Sequence, residues 1–266
     1  MRTEQKLNLQ GVSKTFHQRG GSVQALDNIT LDVSEGEFVS LIGASGCGKS
    51  TLLRLVDGLT KPSGGELILD GSQVTSPGPD RAFVFQQDRL LPWRTIKDNV
   101  AFGLEVQGAP KDEVATRCAE LLELMGIPGF ADAYPHELSG GMRQRVNIAR
   151  ALAVDPQVLL MDEPFAALDG QTREIMQAEL MRVWQETKKT VLFVTHQIDE
   201  AVYLSDRIIV LTVRPGRVKQ EIHVDIPRPR TLQTKRTPEF TRYVDEIWGL
   251  IEQEVRESMS MELRNG

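Results

Sequence analysis

The sequence predicts an α/β fold, with antiparallel strands at the front of the chain and a helical stretch in its middle. Three observations predict it. Residues 38–42 (Phe38-Val39-Ser40-Leu41-Ile42) are a short apolar run with two β-branched residues. They lead through a glycine turn into a leucine-patterned segment, residues 51–56, so that strand, turn and helix follow one another. Residues 158–161 and 190–194 are two more continuous apolar runs of strand length, as expected of strands buried in a parallel sheet. From residue 156 onward strand and helix patterns alternate, which is the signature of this class.

Taken in order, residues 1 to about 80 contain short alternating segments at 6–9, 29–33 and 66–69, broken by glycines and by an expected turn at Asp27-Asn28. They read as antiparallel strands around the core. Residues 112–125 are apolar at Val114, Cys118, Leu121, Leu122 and Met125 and stop at Gly126, a suitable residue just past a helix end, so they form an amphipathic helix. Ser139 is placed to cap a further helix that runs through Val146-Asn147-Ile148-Ala149-Arg150-Ala151-Leu152. Residues 1–225 form the main domain. In the remainder, residues 226–266, Ile226-Pro227-Arg228-Pro229-Arg230 is extended, because proline cannot donate and restricts the residue before it. Thr237-Pro238-Glu239 then opens a helix with an N-cap, a proline at its first position and an acidic first turn. Its stripe of Phe240, Val244, Ile247, Trp248, Ile251 and Val255 is expected to pack on the domain, and residues 258–266 to fray. No internal repeat is visible.

Composition narrows the class. In 266 residues, 40% hydrophobic content supplies a substantial core and 26% charged residues argues against disorder. No apolar run approaches the ~20 residues of a membrane span, and residues 1–10 are too polar and mixed for a secretory signal. The two cysteines, Cys47 and Cys118, make no disulfide framework and suit a reducing cytosol. A net charge of −6 gives no basic footprint for nucleic acid, so membrane association is expected to come through a protein partner.

Two stretches carry chemistry. Gly43-Ala44-Ser45-Gly46-Cys47-Gly48-Lys49-Ser50 fits G-x-x-x-x-G-K-[ST] without a mismatch. Between a strand and a helix N-terminus, its backbone N–H groups have no intrahelical partners and the helix dipole adds positive potential, which makes an anion site. Glycines let the main chain approach phosphate oxygens, Lys49 can reach the β- and γ-phosphates, and the Ser50 hydroxyl suits Mg²⁺. A nucleoside triphosphate is the expected ligand, with Gly43, Ser45, Gly46, Cys47, Gly48, Lys49, Ser50 and Thr51 lining its phosphates. Leu138-Ser139-Gly140-Gly141-Met142-Arg143-Gln144-Arg145 opens a second helix. It is either a plain capped start or a second phosphate site. One phosphate loop and two such helix starts suggest that one start serves a different nucleotide, as in a head-to-tail pair of chains.

In order along the chain, these motifs resemble the ATP-binding subunits of ABC transporters, over roughly residues 7 to 225. Residues 138–144 resemble their signature motif, and Val158-Leu159-Leu160-Met161-Asp162-Glu163 their Walker B strand with its catalytic glutamate. Ala167-Leu168-Asp169 resembles the D-loop, Gln86 the Q-loop glutamine, His196 the switch histidine, and Phe16, ahead of Gly20-Gly21, the aromatic that stacks on adenine. The resemblance implies a P-loop NTPase ABC cassette with an antiparallel β subdomain and a helical subdomain inserted at about residues 95–150. It implies MgATP, with Ser50, Asp162 and Gln86 around the metal, and Glu163 deprotonating the attacking water. Carboxylates at the C-terminal end of a buried strand lie where open α/β sheets bind ligands. His196 ends a strand expected in the same sheet. Gln86 and His196 would sense the γ-phosphate, and Ser139, Gly140, Gly141 and Asp169 would complete the site of the other chain in a homodimer. Gln197 stands where the family more often has Asp.

After the Q-loop comes Gln87-Asp88-Arg89-Leu90-Leu91-Pro92-Trp93-Arg94. Trp93 is either a core plug or, as the resemblance implies, part of a groove over residues 86–93 that docks an integral membrane permease. The Leu-Leu-Pro-Trp form, Asp98-Asn99-Val100-Ala101-Phe102-Gly103-Leu104 and residues 226–230 resemble the nitrate, sulfonate and taurine importer branch. The expected protein is therefore a peripheral ATPase on the cytoplasmic face of the inner membrane. It would energise uptake of a small anion delivered by a periplasmic or lipid-anchored binding protein that it meets only indirectly. The competing reading, a non-transport ABC ATPase acting on ribosomes or DNA, fits poorly with one P-loop, acidic charge and no heptads. A small-molecule kinase would leave Ser139-Gly140-Gly141 without a role.

Overall fold

All five residues of each of the apolar runs 38–42 and 190–194 are buried, and the sheet they belong to is the core around which the first unit is built. The computed structural model describes the backbone of residues 5–18 and 21–265, and the side chains of these except at residues 18 and 257–265. The chain forms two compact units, Met1–Gly78 with Thr190–Gly266, and Pro79–Lys189.

The first unit begins with β1 (Gln5–Gln18) and β2 (Gly21–Ser34), followed by β3 (Phe38–Ile42), α1 (Lys49–Asp57), β4 (Gly64–Leu69) and β5 (Ser72–Gln73). An antiparallel sheet of order β2-β1-β4-β5 buries Leu7, Leu9, Val12, Ile29, Leu31 and Val33, as the alternating segments required. The expected turn at Asp27-Asn28 is instead a bulge in one continuous strand. Asn28 takes a left-handed φ of 53° while the register against β1 shifts between Val12 and Lys14. Asparagine tolerates that conformation, and its N–H donates to the Ser13 hydroxyl at 2.9 Å, so the chain bends without reversing.

The second unit holds β6 (Arg81–Val84), α2 (Ile96–Val106), α3 (Lys111–Leu124), α4 (Gly140–Ala153), β7 (Val158–Asp162) and α5 (Gly170–Thr187). β6 and β7 are parallel, with Val84 opposite Met161. The helix expected at 112–125 is α3, buried at Cys118, Leu121 and Leu122, and Gly126 follows its end at φ 66°. The chain then returns to the first unit with β8 (Thr190–Val194), α6 (Ile198–Leu204), β9 (Arg207–Leu211), β10 (Val218–His223) and α7 (Pro238–Asn265). Here β3 runs parallel to both β8 and β9, and β10 pairs antiparallel with β9. Among the described residues no helix is long and apolar enough to cross a membrane.

In the C-terminal segment, Arg230 is 5% exposed. Its guanidinium donates to the carbonyls of Val202 (2.9 Å), Tyr203 (3.3 Å) and Ser205 (2.6 Å) at the end of α6, and to Val224 (3.0 Å) and Ile226 (3.0 Å). Arg228 donates to Leu204 O at 2.7 Å and pairs with Asp206 at 2.8 Å. Two arginines thus satisfy the carbonyls that a helix end leaves open. Burial, then the charge of Arg228, lowers the Arg230 pKa to about 10, which leaves it cationic at neutral pH.

Thr237 caps α7, its hydroxyl accepting from the Phe240 N–H at 3.3 Å. The buried face of α7 is Phe240, Tyr243, Ile247 and Glu254, whereas Trp248 is 59% exposed and not part of the packed stripe. The buried carboxylate turns the helix this way. Glu254 accepts from the Val213 N–H at 2.9 Å and pairs with Lys219 at 2.7 Å, which rotates Trp248 outward. The backbone of α7 is helical as far as Asn265, past the point where fraying was expected.

Candidate functional site

In the first unit, register places two of the expected groups side by side. Leu41 of β3 lies opposite Val194 of β8, and the Thr195 N–H donates to Leu41 O at 3.3 Å. The loop that begins at Gly43 and the exposed His196 therefore leave the sheet at the same, C-terminal, edge. Gly48 starts α1 at φ 99°, and a Cβ there would stand 2.6 Å from Leu26 Cδ2 and 2.9 Å from Ala25 O, so only glycine fits. Gly46 also takes a positive φ, of 76°. Ser45 and Gly46 are exposed, while Ser50 and Thr51 are half-buried in the first helical turn.

Lys49 is buried, its ammonium donating to Gly43 O at 2.7 Å and Ala44 O at 3.1 Å, folded along the inside of the loop. Burial pushes the Cys47 thiol pKa up, against the opposing pull of Lys49, which favours the neutral thiol over the thiolate. Phe16 is 39% exposed on β1, opposite Val23 and two residues along β2 from Ala25, with the Lys14 ammonium 5.0 Å from its ring. Gly20, named with it, lies outside the described residues.

The second unit gathers the remaining groups. Because Val84 stands opposite Met161, Gln86 and the pair Asp162–Glu163 leave β6 and β7 at one end. Gln86 is exposed and the two carboxylates are half-buried. Glu163 has φ 46°, a left-handed conformation that is costly outside glycine and clusters at functional positions. The turn after it is closed by Arg173, which donates to Leu168 O at 2.7 Å and Phe165 O at 3.3 Å. Ser139 caps α4 through the Met142 N–H at 3.3 Å. A Cβ on Gly141 would stand 2.9 Å from Thr172 Cγ2, so the starts of α4 and α5 are packed together. Asp169 caps α5, and hydrogen bonds from the Thr172 hydroxyl and N–H hold its carboxyl below the usual carboxylate range. Gln86, Asp88, Gly140, Arg143, Pro164 and Leu168 line a cleft of about 400 Å³.

Trp93 is 72% exposed, so it is not a core plug. What holds its loop is a residue read from the sequence only as a family likeness. Asn99, fully buried, accepts from the Leu91 N–H at 2.7 Å and donates to the carbonyls of Leu91, Arg94 and Thr95. Sequence reasoning also missed Arg143, on Asp88 at 2.9 Å, and Arg150, donating to Asp88 O at 2.7 Å and Arg89 O at 2.9 Å. Helix α4 thereby grips the segment that follows Gln86. The only signal available was their spacing on one helical face.

Comparison with known proteins agrees with this geometry. Residues 26–166 match the family model described as ABC transporter. The chain is 52% identical over 258 residues to an uncharacterized ABC transporter ATP-binding protein of Methanocaldococcus jannaschii, covering 97% of this chain and 96% of that one. It is 47% identical over 251 residues (92% and 94%) to the nitrate import ATP-binding protein of a Synechocystis strain. To the taurine import ATP-binding protein of Rhizobium johnstonii it is 49% identical over 238 residues (87% and 90%). The dimeric, post-hydrolysis structure of the ATP-binding cassette MJ0796 bound to ADP and Pi superposes with a TM-score of 0.72 at 36% identity, covering 83% of this chain and 100% of that one. Motifs, fold and relatives converge: the chain belongs to the ABC transporter family, as one of its ATP-hydrolysing nucleotide-binding subunits.

Proposed function

We propose that the chain works as a homodimer that hydrolyses two MgATP at the cytoplasmic face of a membrane permease and so drives import of a small anion of the nitrate, sulfonate or taurine type. The observation that carries the ATPase part is the phosphate loop, glycine-started and with Lys49 folded inside it. Import of an anion is supported by the relatives' names.

In this reading the loop amides and Lys49 hold the phosphates and Phe16 stacks on adenine. Glu163 orients and deprotonates the water, while Gln86 and His196 sense the γ-phosphate. Ser139, Gly140, Gly141 and Asp169 complete the site of the second copy. Among the described residues no cluster of three or more His, Cys, Asp or Glu side chains could cage a metal. The Ser50 hydroxyl, the Asp162 carboxylate and the Gln86 amide are hard oxygen donors. They suit Mg²⁺, which keeps water and phosphate oxygens in its shell and, when bound, neutralises phosphate charge. Uptake of labelled anion into proteoliposomes holding the permease and this chain tests the proposal, and ATP-independent uptake would end it.

The dimer is testable alone. A Ser139→Arg chain keeps its own phosphate loop, so it should bind ATP as wild type does yet fail to dimerise on ATP, as read by light scattering. Normal dimerisation would reduce Ser139 to the helix cap seen here.

Trp93 belongs to the permease contact. At 72% exposure, Trp93→Ala should alter the stability of the isolated subunit by no more than about 0.5 kcal/mol. It should leave soluble ATPase activity intact and weaken assembly with the permease by about 2 kcal/mol, the size of a tryptophan hot spot. Unchanged assembly and transport would remove Trp93 from the interface.

A further inference from the structure

The hairpin turn between β9 and β10, residues 212–217, is built against the phosphate loop. A Cβ on Gly216 would come 2.1 Å from Cys47 O, so the two backbones are in direct contact. The turn is closed by Thr212, whose N–H donates to Arg217 O at 2.9 Å and whose hydroxyl donates to Pro215 O at 2.9 Å. It is tied to β2 by the Gly216 N–H on Ala25 O at 2.9 Å and the Asp27 N–H on Gly216 O at 3.0 Å. From the other side, Glu254 of α7 holds the Val213 N–H at 2.9 Å.

Arg214 stands at the tip of this turn with its backbone fixed on both flanks. Its guanidinium lies over the phosphate loop: a Cβ on Gly46 would be 3.2 Å from Nη2 and 3.6 Å from Nε. Arg217, three residues on, pairs with Asp27 at 2.8 Å, but Arg214 makes no hydrogen bond or ion pair with another described residue. Its planar fork of five donors, the geometry that matches phosphate oxygens, is thus uncommitted beside the glycine loop that opens α1. Lys49 serves that loop from inside, and Arg214 faces it from outside.

We propose that Arg214 is a second cationic ligand of the nucleotide polyphosphate, reaching across Gly46 from the β9–β10 turn. This rests on reading residues 43–51 as the ATP site. The contact is placed on the phosphates that ADP and ATP share, so it adds affinity for both and needs no second copy, and it is weakened by salt because Arg214 is exposed.

Calorimetric titration of ADP and ATP into the purified chain tests it, with Arg214→Gln, Arg214→Glu and Lys49→Ala beside wild type. Arg214→Gln should weaken both nucleotides about 5–20-fold, the range of one charge-assisted hydrogen bond discounted for exposure. Arg214→Glu should be weaker still, and more so at low salt, because the carboxylate repels the phosphates. That ordering by charge is one that a mere distortion of the turn does not produce. Equal ADP affinity in wild type and Arg214→Gln overturns the proposal, as does a glutamate variant no worse than the glutamine one. Loss of ATP-driven dimerisation with unchanged ADP affinity also overturns it, and moves Arg214 to a contact with the second copy. If Lys49→Ala likewise leaves affinity unchanged, the failure lies in the placement of the nucleotide site itself.

Discussion

Glu163→Gln should still bind ATP and lower hydrolysis by roughly 10²–10⁴, the contribution of a positioned general base. The side chain sits one residue past β7, on a backbone held at φ 46° by a turn that Arg173 closes from below. Glutamine has the same size and faces the same backbone strain, so the substitution removes the proton acceptor while keeping the shape of the side chain. The melting temperature should therefore stay within a degree or two of wild type, and the variant should accumulate as an ATP-bound dimer that does not turn over. Steady-state phosphate release, run beside light scattering, separates the outcomes. Hydrolysis within threefold of wild type would take the base role away from Glu163.

Arg230→Met should cost about 3–5 kcal/mol of stability, as breaking a buried charged network does. Methionine replaces the aliphatic stem but carries no donor, so the carbonyls of Val202, Tyr203, Ser205, Val224 and Ile226 lose their partner together. At 5% exposure little water can replace it. For a chain of this length the melting temperature should fall on the order of 10 °C by calorimetry. Arg230→Lys, with a compact ammonium in place of the fork, should recover only part of the loss. A drop below 2 °C for the methionine variant would show that the network contributes little.

Local rules made much of the candidate nucleotide site legible. A run such as Phe38-Val39-Ser40-Leu41-Ile42 can be satisfied only by burial, and it is wholly buried. Glycine at 48 is demanded by a φ of 99° and by Leu26 at 2.6 Å, and the helix that follows ends at Gly58, whose left-handed φ of 83° lets its N–H bond Leu55 O. Ser139 and Thr237 were readable as N-caps for the same reason: each bonds an N–H three residues on, so the information is local, and the Asp169 cap, read from the sequence only as a family likeness, follows the same spacing.

What the residues alone determined, then, is whatever depends on near neighbours: the strand–loop–helix run from β3 to α1, the capped helices and the apolar strands. The tertiary structure decided whatever depends on partners far along the chain. Asn28 bends a strand instead of turning it because β1 is there to accept a bulge. Trp248 points outward because Glu254 finds Lys219 and the Val213 N–H on another element. Trp93 is exposed, and not a plug, because Asn99 ties down its loop from within. Arg230 is buried and Arg214 poised over Gly46 for the same kind of reason. Whether a charged or aromatic side chain is buried, paired or left exposed is set by which donors and acceptors the fold brings within hydrogen-bonding distance of it, and a linear pattern does not contain that distance.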